Sequence, residues 1–268
     1  MQFQQELLDA VDIAKHAGDI ILKYYASDYA VYEKENKSPV TEADLAANEY
    51  IIAELKKVSP HPILSEETKD DISRMNSDFL WIVDPLDGTK EFLNKTGEFS
   101  VMIGLAYKEV PLLGVVYQPT TKKCYIAEKG KGAYIKIQDE YIPLHVSTKQ
   151  DSKDMTVVIS RSHMKEEDKQ IAAELTAKSF KQSGSVGIKI GIIAEQEADL
   201  YYNISPHTSE WDTCAPEIII QEAGGKLTDM HGTLLKYNQK EVQRLNGIAS
   251  SNGLIHNTLV KAIKKITT

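Results

Sequence analysis

The segment Trp81-Ile82-Val83-Asp84-Pro85-Leu86-Asp87-Gly88-Thr89 constrains this chain more than any other. An apolar run leads into two carboxylates three residues apart, then into what reads as a helix start. Pro85 fixes the backbone just after the first carboxylate, and Gly88 permits an unusual dihedral just after the second. Such a strand and turn can aim both carboxylates and the Leu86 carbonyl at one point, the mixed oxygen set that hard cations take. A helix opening at Thr89-Lys90-Glu91-Phe92 would present free N–H groups to phosphate. Asp-Pro and Asp-Gly are also ordinary turn dipeptides, so the segment alone leaves both readings open.

Two further acidic clusters stand at the edges of predicted elements. Ser65-Glu66-Glu67 lies upstream, after Pro62-Ile63-Leu64, and Glu210-Trp211-Asp212-Thr213 lies far downstream. Each has a structural alternative. Glu66-Glu67 suits a solvated turn, Asp212 a first-turn helix residue satisfying free amides, and Thr41 with Asp44 a capping box. Pro216 agrees with a helix beginning near Asp212, because a first-turn proline loses no helical hydrogen bond. The joint occurrence of the clusters favours a cation site. Zinc chemistry finds little support: His16, His61, His145, His163, His207, His231 and His256 include no pair at ligand spacing. Oxygen-only ligation favours Mg²⁺. Neither a Walker A sequence nor a GxGxxG turn is present.

The bulk properties agree with a soluble globular protein. The 268 residues suit one large domain or two modest ones, with 42% hydrophobic and 26% charged residues. No apolar run approaches the ~20 residues of a membrane span. The N-terminal residues lack a secretory signal, and Cys124 and Cys214 are the only cysteines, so a reducing cytoplasm is expected. The net charge of -8 opposes binding to a nucleic-acid polymer. It does not oppose a small phosphorylated substrate, because bound metal ions reverse the local charge.

Apolar spacing predicts a helix over 3–26 and another from Thr41 to about Val58, ended by Pro60 and Pro62, with a loop or ragged strand over Tyr32–Ser38. Phe79–Asp84, Phe99–Tyr107, Leu112–Gln118 and Cys124–Ala127 read as strands, and Gly130–Tyr134 as a turn into another. This helix pair followed by a meander is an α+β first half. Beyond Val146 the pattern alternates: a strand at Met155–Ser160, a charged helix over 163–178, an apolar segment at Ile188–Ala194 and a short strand at Leu200–Tyr202. A helix over Asp212–Ala223 stops at Gly224-Gly225, a strand occupies Gly247–Ser250 and a helix 253–267. A boundary near 146 divides the chain into an α+β part, 1–146, holding most of the candidate cation ligands, and an α/β part, 147–268, holding the last of them and the candidate substrate contacts.

Asp84-Pro85-Leu86-Asp87-Gly88-Thr89 together with Trp211-Asp212 resembles the double signature of the inositol monophosphatase superfamily of lithium-sensitive phosphatases. The order of Glu66-Glu67 before the first signature, and Glu222-Ala223-Gly224-Gly225 after the second, is similar too. Within it the chain most resembles the 3′(2′),5′-bisphosphate nucleotidases of the CysQ type. The residues behind this are Ser38-Pro39-Val40-Thr41-Glu42-Ala43-Asp44, Thr89-Lys90-Glu91-Phe92, Ser160-Arg161-Ser162-His163 and Trp211 to Glu217. Ser65, where many members have Gly, and the loosely matching Ser185-Val186-Gly187-Ile188-Lys189 depart from the pattern.

The resemblance implies a layered α-β-α-β-α sandwich of two subdomains with the active site between them. It implies Mg²⁺, two or three ions per site, with Li⁺ inhibitory, held by Glu66, Asp84, Asp87, Asp212 and the Leu86 carbonyl. It implies a water activated by Thr89 and Asp44, with Glu67 holding a further water. Phosphate would contact Glu66, Leu86, Asp87, Gly88, Thr89 and Asp212, and Ser160, Arg161, His163 and Lys189 are candidates for the remainder of the substrate. The expected reaction removes the 3′-phosphate of adenosine 3′,5′-bisphosphate to give AMP, and 3′-phosphoadenylyl sulfate is a further substrate of such enzymes. Hydrolysis of inositol monophosphate or fructose 1,6-bisphosphate on the same centre stays open, as does a non-catalytic, protein-binding role. A monomer or homodimer without a transmembrane segment is expected, cytoplasmic and with peripheral association to the inner membrane left open.

Overall fold

A computed structural model describes residues 4–33, 39–138, 140–162 and 165–267. Two helices open the chain, α1 (Gln5–Tyr25) and α2 (Glu42–Val58), joined through a small hairpin of β1 (Val31–Glu33) and β2 (Pro39–Thr41). Leu7, Ala10, Val11, Ala14, Ala17 and Ile21 recur at helical spacing on α1, as do Ala43, Ala47, Ile51 and Leu55 on α2, and all are buried.

Those faces cover one side of a seven-stranded sheet. Its strands are β3 (Ile63–Ser65), β4 (Phe79–Asp87), β5 (Ser100–Tyr107), β6 (Val110–Gln118), β7 (Lys123–Glu128), β8 (Ala133–Ile137) and β9 (Glu140–Leu144), in that spatial order. Only β3 and β4 pair in parallel; the rest is a meander. A short helix, α3 (Thr89–Leu93), follows β4.

The later elements are β10 (Thr156–Ser160), α4 (Glu166–Glu174), β11 (Ser179–Ser183), α5 (Val186–Ala194), β12 (Leu200–Asn203), α6 (Glu210–Glu222), β13 (Lys226–Thr228), β14 (Ile248–Ser251) and α7 (His256–Thr267). Their five strands form a mixed sheet ordered β11-β10-β12-β14-β13. α5 and α6 lie between the two sheets, packed on Met102, Val116 and Tyr125 from the first and on Val158 and Tyr201 from the second. α4 and α7 cover the outer side of the second sheet through Ile171, Leu259 and Ile263. The layers are therefore α-β-α-β-α, the sandwich that the resemblance implied.

Close approach seats α6. Gly104 and Gly114 face each other across β5 and β6. A Cβ on Gly104 would come within 2.7 Å of Cys214 Sγ, and one on Gly114 within 2.7 Å of the Ala215 backbone. The two glycines leave a flat spot into which the second turn of α6 sinks.

Several expectations change. The helix predicted over 163–178 is confined to Glu166–Glu174, and β11 follows it as a parallel partner of β10. The apolar segment Ile188–Ala194 is helical, and every residue of α5 is buried because both of its sides meet a sheet. α6 starts at Glu210 with Ser209 as its N-cap, so Pro216 lies in the second turn rather than the first. Lacking an N–H, it leaves the Asp212 carbonyl without its helical partner. The three-residue strands β3 and β13 carry too few residues for alternation to register, and they gain order from their neighbours in the sheets. Among the described residues no helix is long and apolar enough to cross a membrane.

Candidate active site

The first acidic pair owes its geometry to an irregularity in β4. Residues three apart on a regular strand face opposite sides of a sheet. Asp84 pairs with Met102 and Asp87 with Ser100, so two residues, Pro85 and Leu86, stand opposite Val101. This bulge, at a proline that cannot donate to the ladder, turns Asp87 back to the side of Asp84. Gly88 completes the turn at φ 99°, where a Cβ would lie 2.9 Å from the Glu98 carbonyl.

Asp212, at the third position of α6, reaches the same point from the C-terminal half of the chain. Carboxylate oxygens of Asp84, Asp87 and Asp212 all lie within 4.8 Å of one another. Asp84 Oδ1 accepts the Leu86 N–H at 3.0 Å. Asp87 Oδ2 accepts the Ser185 hydroxyl at 2.5 Å and the Gly187 N–H at 3.0 Å. Asp212 Oδ2 accepts the Ser209 N–H at 2.5 Å. Burial pushes the Asp87 carboxyl pKa up, with Lys189 opposing. Burial also raises Asp212 well above the usual carboxylate range, reinforced by Asp87 and Glu66.

Three carboxylates gathered this closely, Asp84 and Asp87 buried and Asp212 half-buried, repel one another, and a bound cation removes the penalty. The all-oxygen donor set fits a hard divalent ion such as Mg²⁺ better than zinc. Glu66 stands at the rim: its N–H donates to the Val83 carbonyl at 3.2 Å, beside Asp84, and its charge raises both Asp44 and Asp212. Glu67 follows it in the same turn, half-buried.

Asp44 serves two structures at once. Its Oδ2 accepts the Thr41 N–H at 2.8 Å and the Thr41 hydroxyl at 2.5 Å, closing the capping box of α2. Its Oδ1 accepts the Thr89 hydroxyl at 3.1 Å, and that hydroxyl also lies 3.3 Å from the Leu86 carbonyl. Burial pushes the Asp44 carboxyl pKa up, with the Thr41 hydrogen bonds opposing. A nearly inaccessible carboxylate that holds a threonine hydroxyl beside an acidic cluster can receive a proton relayed through that hydroxyl.

The remaining predicted residues are placed differently from one another. Ser160 ends β10, and Arg161 makes a bidentate pair with Glu98 at 2.8 and 2.7 Å. Lys189 is only 3% exposed; its ammonium sits 5.2 Å from the Tyr201 ring centre and faces the charges of Asp87, Glu91, Glu98 and Asp212. It is a buried counter-charge to the cluster from α5. His163 lies outside the described residues.

Sequence reasoning missed Ser185, Gly187, Glu91 and Glu98. Ser185 caps α5 at φ 53°, an uncommon backbone for serine, while bonding Asp87. Glu91 is buried and accepts the Ser162 hydroxyl at 2.6 Å. No spacing signal could have found these residues, because each acts across the fold.

The profile of the inositol monophosphatase family matches residues 4–268. A 3′(2′),5′-bisphosphate nucleotidase CysQ of Salmonella typhimurium is 38% identical over an alignment 243 residues long that covers 85% of this chain and 92% of that protein. The solved structure of CysQ from Bacteroides thetaiotaomicron, a bacterial member of the inositol monophosphatase family, is 36% identical. It covers 93% of this chain and 98% of its own, with a TM-score of 0.79. The extragenic suppressor protein suhB of Bartonella henselae is 26% identical, covers 98% of this chain and 99% of its own, and has a TM-score of 0.83.

Proposed function

The chain belongs to the inositol monophosphatase family, and from that membership we propose that it is a magnesium-dependent 3′(2′),5′-bisphosphate nucleotidase. It removes the 3′-phosphate of adenosine 3′,5′-bisphosphate to give AMP and phosphate, and 3′-phosphoadenylyl sulfate is a second substrate. The observation that carries the reading is the meeting of Asp84, Asp87 and Asp212 oxygens within 4.8 Å, in a chain whose relatives include CysQ nucleotidases.

Asp84, Asp87, Asp212, Glu66 and the Leu86 carbonyl would hold the magnesium, two or three ions per site. Magnesium supplies Lewis-acid polarisation of the phosphoryl group and lowers the pKa of water. The phosphate rests over the 87–89 turn, where Asp87, Gly88 and Thr89 orient it. Thr89 donates its hydroxyl proton to Asp44 Oδ1 and thereby offers its oxygen to an incoming water. Asp44 Oδ2 is already occupied by Thr41, so Oδ1 is the oxygen that takes up the proton. Glu67 orients a further water. Ser160 and Arg161 border the nucleotide, and Lys189 acts through Asp87 from behind. Positioning and charge neutralisation supply the rate, and no covalent phospho-enzyme forms.

Phosphate release from adenosine 3′,5′-bisphosphate is measured with Mg²⁺, with EDTA and with added Li⁺, alongside inositol 1-phosphate and fructose 1,6-bisphosphate. AMP formation that needs Mg²⁺, falls with Li⁺ and outpaces the other substrates is the expected result. A clear preference for inositol phosphate would reassign the substrate. No metal-dependent release from any of them would favour a protein-binding role.

A further inference from the structure

Residues 236–244 form a strap across the start of α6, the helix that brings Asp212 to the acidic cluster. The Arg244 N–H donates to the Thr208 carbonyl at 2.7 Å, and the Glu210 N–H donates to the Val242 carbonyl at 2.9 Å. Ser209 bridges to Gln243. The Glu210 carboxylate, 0% exposed, accepts the N–H groups of Asn238 and Gln239 at 2.7 and 2.8 Å. The Arg244 guanidinium donates to Thr213 Oγ1 and to the Lys236 carbonyl, and lies 4.6 Å from the Tyr237 ring centre.

The other side of the strap is tied to the N-terminal half at two points. Exposed Glu109 takes hydrogen bonds from Lys236 and Gln239 at 3.0 Å each and from the Tyr237 N–H at 3.1 Å, and Arg74 supplies the buried tie. Arg74, 3% exposed, donates to Asn238 Oδ1 and to the Gln239 carbonyl, each at 2.8 Å. Asp70 orients it through hydrogen bonds of 2.7 and 3.0 Å. Asn238 Nδ2 answers with bonds to the Arg74 and Ser77 carbonyls at 3.3 and 3.1 Å. Arg74 lies in the connection between β3 and β4. That connection begins at Glu66 and Glu67, and the strand it feeds ends at Asp84 and Asp87. A continuous polar chain thus runs from the Glu66 arm through Arg74, Asn238 and Glu210 to the turn that holds Asp212.

We propose that Arg74 is a positioning residue for the metal centre. Through the strap it sets the distance between Asp212, from one half of the chain, and Glu66, Asp84 and Asp87, from the other. The need for such a tie is electrostatic. These carboxylates repel each other, and a rigid frame holds them within coordinating distance before a cation arrives. Arg74 meets the strap with a planar fork that spans two acceptors, a task lysine cannot perform. The proposal rests on the metal-dependent reading above, so its test includes metal binding itself.

Mg²⁺ binding to the full chain is titrated by calorimetry for the wild type, Arg74→Ala, Arg74→Lys and Leu259→Ala. Leu259 sits in the core under α7, and its truncation lowers thermal stability without touching the strap. Arg74→Ala is expected to raise the Mg²⁺ Kd about 10-fold, the low end of the loss seen when a group hydrogen-bonded directly to a ligand is removed, because Arg74 acts through Asn238 and Glu210. Arg74→Lys, which keeps a charge beside Asp70, raises it by a smaller factor. Turnover of the Arg74 variants returns to within about twofold of wild type at saturating Mg²⁺, so the loss falls on the metal activation constant and not on kcat. Leu259→Ala keeps the wild-type Kd. Unchanged Mg²⁺ affinity in both Arg74 variants, or an equal loss in Leu259→Ala, overturns the proposal while leaving the metal reading intact. A wild-type chain that binds no Mg²⁺ overturns both.

Discussion

Replacing Glu217 by Gln is expected to flatten the pH dependence of stability between pH 4.5 and about 7. Glu217 sits on the buried face of α6, 2% exposed. Tyr237 donates its hydroxyl to Oε2, and Gln221 donates to Oε1 at 2.6 Å. Burial nevertheless prevails and pushes the carboxyl from its ordinary 4.5 up to about 7. That gap, at 1.36 kcal/mol per pH unit, corresponds to about 3 kcal/mol. The sign follows from proton uptake. An unfolded chain ionises Glu217 near 4.5, whereas the folded chain keeps the proton until about 7. Stability is therefore full below pH 4.5, declines as pH rises toward 7, and is lower by about 3 kcal/mol above it. Gln cannot ionise, yet its amide can still pair with Tyr237 and Gln221. Urea unfolding of both proteins at several pH values, in EDTA so that the metal ligands contribute equally, gives the difference directly. Parallel pH profiles for the two proteins would refute the argument.

Asp87→Asn is expected to abolish Mg²⁺-dependent phosphate release while leaving the metal-free protein at least as stable, because one charge leaves a repelling cluster; wild-type turnover would sink the ligand assignment. Thr89→Ser should stay near wild-type activity, whereas Thr89→Val should lose about 10²–10⁴-fold in kcat with Mg²⁺ affinity unchanged. Equal activity of the two variants would remove Thr89 from the proton path. Gly187→Ala would place a Cβ 2.7 Å from Met102 Sδ and Val116 Cγ1 and displace the N–H that donates to Asp87. A cost of about 1–3 kcal/mol in urea unfolding and weaker Mg²⁺ binding are expected; a fully stable variant with wild-type affinity would contradict it.

The local devices were legible in the chain. The capping box of α2 forms from Thr41 and Asp44 as their spacing predicts, and both sheets contain the longer strands read from apolar runs. The structural readings of Asp44 and Asp212 are both met, and neither excludes a second contact. In each residue one carboxylate oxygen caps a helix, leaving the other for Thr89 in Asp44. The short strands and the helical form of Ile188–Ala194 were not legible, because burial on both sides erases the amphipathic pattern that distinguishes helix from strand.

By itself the sequence determined the chemistry on offer: acidic side chains at turns, a proline and a glycine that bend β4, and the motif order that places the chain in its family. The tertiary structure alone decided which groups meet. It brought Asp212 to Asp84 and Asp87, set Ser185 and Gly187 on Asp87, buried Lys189 as a counter-charge, and tied Arg74 to the strap over α6. The physical reason is range. Turn dihedrals and caps act over a few neighbouring residues and are written in local order, whereas electrostatic repulsion, burial and close packing act through space between residues 98 to 164 positions apart.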